Sequence, residues 1–474
     1  MSIISRRDLL ARAGNGMGLI ALAGLLDSLG LNAGEPSDPL AVKPGHFPCK
    51  AKSVIWVFMN GGPSHIDTWD YKPELAKQDG KDLAGFDKDT GFFTDQVGPL
   101  MKSPFAFSQH GQSGSWVSEI FPALSQHVDK MAFLHSCWTD SNNHAPALLK
   151  INSGMARMGF PSMGAWLTYG LGSAARDLPA FVVMTDTKGR GVPKGYSANW
   201  NAGFLPGIYQ GTALKPQGAP IGDLERDPSL SQGAQRSQLD LLARLNHRTS
   251  GADDEMEARI ASFELAYRMQ TAAPEALDLS REPEAVTKLY GLDNPACAHY
   301  GRQCLLARRL VERGVRCVQI YSGGMDNEKS WDGHADLAGN HRGFAAETDT
   351  PIAGLLTDLA QRGMLDSTLV IWGGEFGRLP VSQRTKESKT SGRDHNPHAF
   401  TTWLAGGGVK AGTHHGATDE LGHKAVQDKV SVHDLHATIL HLMGLDHEKL
   451  TYRFNGRDYR LTDVEGQVVK AVIA

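Results

Sequence analysis

The chain is poor in the features that mark several protein classes. Cysteine is scarce, with five in 474 residues (Cys49, Cys137, Cys297, Cys304 and Cys317), and none stands in a CxxC spacing. A zinc ribbon or thioredoxin-like motif is thereby excluded. The odd count leaves at least one thiol without a partner in the chain, so buried free thiols are expected. Basic excess is also missing: the formal net charge is -4, which argues against a nucleic-acid binder. No long apolar run follows the N-terminal segment, so the rest of the chain is expected to contain no membrane span. No internal repeat or low-complexity tract is visible. What remains is 41% hydrophobic and 21% charged, the balance of an ordinary globular protein.

Histidine is the residue in surplus. There are 19, crowded after Gly333. Histidines beside Asp and Glu at strand ends are metal-ligand candidates.

The first forty residues read as a targeting segment. Ser5-Arg6-Arg7-Asp8-Leu9-Leu10 has the form of a twin-arginine export signal, followed by a glycine-containing apolar run. Met17 to Leu26 is too short to span a bilayer, which takes about 20 residues. Export to the periplasm or beyond is expected, with the twin-arginine machinery as a partner. Residues 41–474 then form one α/β domain, with a lid or insertion at about 188–290.

Further on, short apolar runs alternate with helical stretches. Ser53 to Asn60, Met131 to His135, Phe181 to Met184, Arg316 to Tyr321, Thr368 to Trp372 and Phe400 to Leu404 read as strands buried on both faces. Helices are expected over Trp116 to His127, His144 to Ile151, Gln235 to His247, Asp254 to Gln270, Cys297 to Arg313, Phe344 to Arg362 and Val432 to Met443. Asn142 or Asn143 would cap the second of these and Gly154 end it. The recurrence of strand, helix and strand predicts a doubly wound, mostly parallel sheet flanked by helices. Ligands in such folds bind outside the carboxyl ends of the strands.

Those strand ends carry the chemistry. After the first strand come Asn60, His65 and Asp67. After the second come Thr139, Ser141, Asn143 and His144, at a helix start where an anion would be favoured. Asp332-Gly333-His334 places two ligand types two residues apart, on one side of an extended chain. Glu375 and Arg378 follow the Thr368 strand, and Asp394, His395 and His398 follow a polar segment. Carboxylate with imidazole suits Zn, Mn or Fe. One or two ions are expected, a pair lying about 4 Å apart so as to clamp an ester through two oxygens. The expected metal ligands are Asp332, His334, Asp394, His395, Glu375, His65 and Asp67.

Over nearly its whole length the chain resembles the DUF1501 family, exported bacterial proteins related to the alkaline phosphatase and sulfatase superfamily. The carrying motifs are the twin-arginine start, Gly61-Gly62-Pro63-Ser64-His65-Ile66-Asp67-Thr68, Asn143-His144, Trp331-Asp332-Gly333-His334, Gly374-Glu375-Phe376-Gly377-Arg378, Gly392-Arg393-Asp394-His395 and Gly416-Ala417-Thr418-Asp419. The resemblance implies an alkaline phosphatase-like α/β core and metal-dependent ester hydrolysis. The sequence also departs from the hydrolases of that superfamily. Asn60 stands where they have Asp, Glu375-Phe376 where they have Asp-His or Asp-Asn, and His144-Ala145-Pro146-Ala147 where they have Ser, Thr or modified Cys.

The expected function is hydrolysis of phosphate or sulfate esters, small or on polysaccharide, with a divalent metal, Zn or Mn. Arg378 would grip the anionic group in bidentate fashion, His144 would act as acid or base, and Thr139 or metal-activated water would attack. The alternative is a non-catalytic metal- or glycan-binding protein on the same scaffold.

Overall fold

A computed structural model describes residues 38–214, 221, 224–226, 229–249, 254–325, 327–383 and 390–474. The twin-arginine segment and parts of the 188–290 insertion lie outside the described residues.

Nine strands build the central sheet: β1 (Ser53–Met59), β2 (Met131–Trp138), β3 (Phe181–Met184), β4 (Thr212–Leu214), β5 (Cys317–Ser322), β6 (Thr368–Gly373), β7 (Phe400–Ala405), β8 (Thr413–His415) and β9 (Val430–Ser431). Their order is β8-β2-β7-β6-β1-β5-β3-β4, with β9 also paired to β2. β1 lies at the centre, parallel to β5 and β6, with Ile55 opposite Val318 on one side and Val370 on the other. Every residue of β1, β3, β5, β6 and β7 is buried. These runs of Val, Ile, Phe and Trp therefore read as continuous rather than alternating.

The expected mostly parallel sheet with flanking helices is present, with one difference. β7 runs antiparallel to both neighbours, β2 and β6. Its amino end thus lies on the same rim as the carboxyl ends of β1, β2, β5 and β6. The segment before β7, which holds His395, is delivered to that rim by the reversal.

The helices include α1 (His144–Ser153), α2 (Met163–Leu171), α3 (Gln232–Thr249), α4 (Asp254–Leu277), α5 (Ala298–Glu312), α6 (Leu337–Gln361) and α7 (Val432–Leu442). Asn143 caps α1 by accepting from Ala145 N, and Gly154 ends it at φ 75°. A capping box of Ser431 and Asp434 starts α7, satisfying two N–H groups that the first turn would otherwise leave open. The helix expected over Trp116 to His127 is not formed. Trp116 instead sits in a strand, Ser115–Ser118, paired with Phe107–His110. A 3-10 turn follows at Leu124–Lys130.

The described part of the 188–290 segment has both buried and exposed stretches, residues 229–242 being mostly exposed. Trp200 and Tyr209 are buried in the core, and Thr212–Leu214 extends the sheet at its edge. Among the described residues no helix is long and apolar enough to cross a membrane. All five cysteines are free and all but Cys49 are buried.

Candidate metal centre

At the carboxyl rim, four side chains converge. His144, Asp332, His334 and His395 each offer a ligand atom, and these atoms all lie within 4.8 Å of one another. Each residue reaches the rim by a different route. His144 opens α1 just after β2. Asp332 and His334 sit in the loop between β5 and α6, tied down where Trp331 N donates to Asn60 O (2.9 Å). His395 pairs opposite Arg378 in a short two-stranded ribbon after β6.

Glycine makes the close approach workable. Gly61 adopts φ +106°, and a Cβ there would lie 2.8 Å from the backbone N of both Trp331 and Asp332.

The hydrogen bonds around the imidazoles fix where their protons sit. His144 Nδ1 faces Glu375 Oε1 at 2.7 Å. His334 Nδ1 faces Gln383 Oε1 at 2.6 Å, and His395 Nδ1 faces the Asn142 carbonyl at 2.6 Å. Each partner is an acceptor, so in the neutral ring each Nδ1 carries the hydrogen and each Nε2 presents a lone pair. The three lone pairs point at one carboxylate. His144 Nε2 is 3.0 Å from Asp332 Oδ2, His334 Nε2 is 2.8 Å and His395 Nε2 3.1 Å from Asp332 Oδ1. His334 Nε2 and His395 Nε2 stand 3.0 Å apart. Lone pairs facing each other and a carboxylate repel unless a positive charge lies among them. His144 Nε2 and Asp332 Oδ2, both buried, make no hydrogen bond of acceptable geometry. Imidazoles whose outer nitrogen donates to an oxygen are the arrangement of metal-ligating histidine. The donor set therefore fits a divalent cation of the Zn, Mn or Fe type.

Electrostatics point the same way. Burial disfavours charge on His144, but Asp332 and Glu375 outweigh it and raise the imidazole above its ordinary value. Burial would raise Asp332, yet His144, Arg378 and His334 hold it well below the usual carboxylate range. Burial, with His144 next, pushes His395 well below the usual imidazole range, so it stays neutral. The local field favours positive charge at the meeting point and keeps the carboxylate ionised.

Several expected site residues are placed elsewhere or used otherwise. Glu375, fully buried, is not gathered into the cluster. It stands behind His144 and accepts from Gly61 N at 3.0 and 3.2 Å. Asp394 spends both oxygens on backbone N–H groups, those of His395 (2.7 Å) and Phe93 (2.6 Å). Asp67 forms a buried pair with Arg393 at 2.7 and 3.2 Å. His65 is bound through Nε2 to the Gly422 carbonyl at 2.7 Å. Those four expected ligands lie outside the group of His144, Asp332, His334 and His395. The Phe376 ring also packs 4.9 and 4.5 Å from His144 and His395.

The catalytic expectations shift too. Arg378 is wholly buried and its donors are occupied. They go to Gly62 O (2.8 Å), Arg393 O (3.1 Å), Gly61 O and Asp332 Oδ1 (2.6 Å). Its bond to Asp332 Oδ1 sets it behind that carboxylate. His144 has Nδ1 bonded to Glu375, while its Nε2 faces Asp332 Oδ2 at 3.0 Å. Thr139 is buried, its amide bonded to Pro397 O and its hydroxyl bonded to nothing among the described residues. Asn60, also considered as a ligand, ties β1 to the next loop through Gly324 O. Sequence reading missed Gln383 and the Asn142 carbonyl. Gln383 lies 49 residues from the histidine it orients, so spacing carries no signal of it.

A cavity of about 400 Å³ lies away from this rim. It is lined by Lys52, Ser53 and Thr368, at the opposite ends of β1 and β6.

Comparison with known proteins gives a family and distant likenesses in structure. A family model described as "Protein of unknown function (DUF1501)" matches residues 51–473. No curated protein matches the chain in sequence. Solved structures to which it is similar include the lipoteichoic acid synthase LtaP from Listeria monocytogenes, at 10% identity and TM-score 0.34, covering 92% of this chain and 81% of that one. The PsFucS1 sulfatase from Pseudoalteromonas sp. is 12% identical with TM-score 0.34, over 91% and 71% of the two chains. The alkaline phosphatase from the Antarctic bacterium TAB5 is 10% identical with TM-score 0.32, over 83% and 98%.

Proposed function

The chain belongs to the DUF1501 family, and from that premise we propose that it is an exported, metal-dependent hydrolase of phosphate or sulfate esters. The observation that carries this reading is the set of three imidazoles, each proton-locked at Nδ1, aimed with Asp332 at one point. His144, His334, His395 and Asp332 would hold a single divalent ion, Zn or Mn. When bound, such an ion polarises an ester oxygen and lowers the pKa of water.

The surrounding residues prepare the place. Glu375, Gln383 and Asn142 hold the imidazoles by their outer nitrogens, and Arg378 holds Asp332. The two carboxylates Asp332 and Glu375 stand against one guanidinium, so a dication leaves the centre with net positive charge. That charge suits an anionic ester, although Arg378 is spent elsewhere. No hydroxyl stands in His144-Ala145-Pro146-Ala147 at the start of α1, so water rather than a side chain is the attacking group in this proposal. Export by the twin-arginine route, which carries folded proteins, and action on polysaccharide in the periplasm or outside the cell belong to the same proposal.

Metal analysis of protein purified without chelator is expected to give one divalent ion per chain, lost in Asp332→Asn and His395→Ala. A panel of phosphate and sulfate esters should be turned over by the wild type and not by these variants. Protein that neither retains nor takes up a divalent ion would refute the proposal. A second reading, a binding protein without turnover, draws on the committed Arg378 and the missing hydroxyl. It is preferred if the metal-loaded chain cleaves no ester in the panel.

A further inference from the structure

The loop 87–96 lies over the cluster and is fastened to it. Asn142, whose carbonyl orients His395, donates through its side chain to Gly91 O (2.8 Å) and Thr90 O (3.3 Å). Asp394 accepts from Phe93 N. Gln383, which orients His334, donates to Gln96 Oε1 at 2.8 Å. Gly91 seats tightly, for a Cβ there would come within 2.4 Å of Asp394 Oδ2. The residues that orient the ligands therefore also hold this loop.

The loop turns two aromatic rings toward the ligand imidazoles. Phe93 meets His334 edge-on at 5.0 Å, and Phe92 lies 5.8 Å from His395 and 5.1 Å from Phe93. Phe92 is 46% exposed although it neighbours a nearly buried cluster. A half-exposed phenyl held beside a buried polar cluster leaves apolar area in water, which a ligand's own apolar face would cover. Arg378, the guanidinium bonded to the cluster, is fully buried and makes four hydrogen bonds to protein oxygens, so the exposed ring of Phe92 is the better placed to select among esters.

We infer that Phe92 is a specificity-determining residue, forming with Phe93 a stacking subsite for a ring borne by the alcohol part of the ester. The ion takes the anionic head, and Phe92 takes the ring beside it. This inference rests on the hydrolase reading for the word ester, while the subsite itself can be probed by binding alone.

The test uses the full chain loaded with Zn²⁺ or Mn²⁺, and compares phenylphosphonate with methylphosphonate by calorimetry. Phe92→Ala is expected to weaken phenylphosphonate about tenfold, as loss of one aromatic contact would. Methylphosphonate affinity and metal content should stay unchanged, and Phe92→Trp should retain phenylphosphonate binding. Equal weakening of both ligands, no weakening of either, or loss of metal in Phe92→Ala would overturn the subsite. So would a wild type that binds neither phosphonate. If the wild type prefers phenylphosphonate through Phe92 yet cleaves no phenyl ester, the hydrolase reading falls and the subsite stands.

Discussion

At the scale of single residues, the site separates acids that face the cluster from acids that brace it. Asp332 and Asp67 are both buried carboxylates paired with arginine, yet they predict opposite outcomes on mutation. Asp67→Asn would leave Arg393 buried without its counter-charge, and removing one partner of such a pair costs about 3–5 kcal/mol. The expected result is a large drop in the denaturant midpoint, with metal still bound by the folded fraction. His334→Ala should do the reverse, losing metal with a smaller change in the stability of metal-free protein. Chelator competition and urea unfolding on the two variants would check this. Comparable metal loss in both would mean that Asp67 acts in the metal centre after all. Sequence reading singled out Asp332, His334, His395 and His144, because each follows a strand or opens a helix. It placed Asp394 beside them, Glu375 and Asp67 just behind, and His144 as acid or base, because burial and bonding partners, which set these residues apart, are not written in local sequence.

Among elements, the turn after β1 matters most. Gly61 at φ +106° lets its backbone N–H reach Glu375 while the Asp332 loop passes within contact distance. Gly61→Ala forces a side chain into a left-handed backbone region and against the backbone of the loop that carries Asp332 and His334. Destabilisation by roughly 1–3 kcal/mol is expected, together with weaker metal binding, measurable by thermal unfolding and ion titration. Gly80→Ala is a control, because its φ is also positive (+79°) and a Cβ there meets nothing within 4 Å. It should show the backbone cost with metal affinity unchanged.

The whole molecule carries an acid-sensitive feature in its buried histidines. Burial holds His127, His135 and His423 down to about 4, and His341 and His436 to about 3. The unfolded chain would take up these protons near pH 6.5, before the fold does. Stability from these groups is therefore fully present above pH 6.5 and is lost as pH falls toward 4 and then 3. The urea midpoint should fall across that window. His436→Gln, able to keep a donor toward Ile151 O, should make the fall shallower. An unchanged pH slope in that variant would show that His436 does not contribute.

By itself the sequence determined the buried strands, the mostly parallel sheet and the loops that would carry chemistry. Those features are local: runs of Val, Ile and Trp hide from water wherever they fall, and Gly, Asn and Asp mark turns by their own backbone preferences. Tertiary structure alone decided that β7 runs antiparallel and so brings His395 to the rim. It also decided that Arg378 donates to Asp332, and that Asn142 and Gln383 orient imidazoles 253 and 49 residues away. Which donor meets which acceptor depends on how distant segments pack, and no property of either segment alone encodes it.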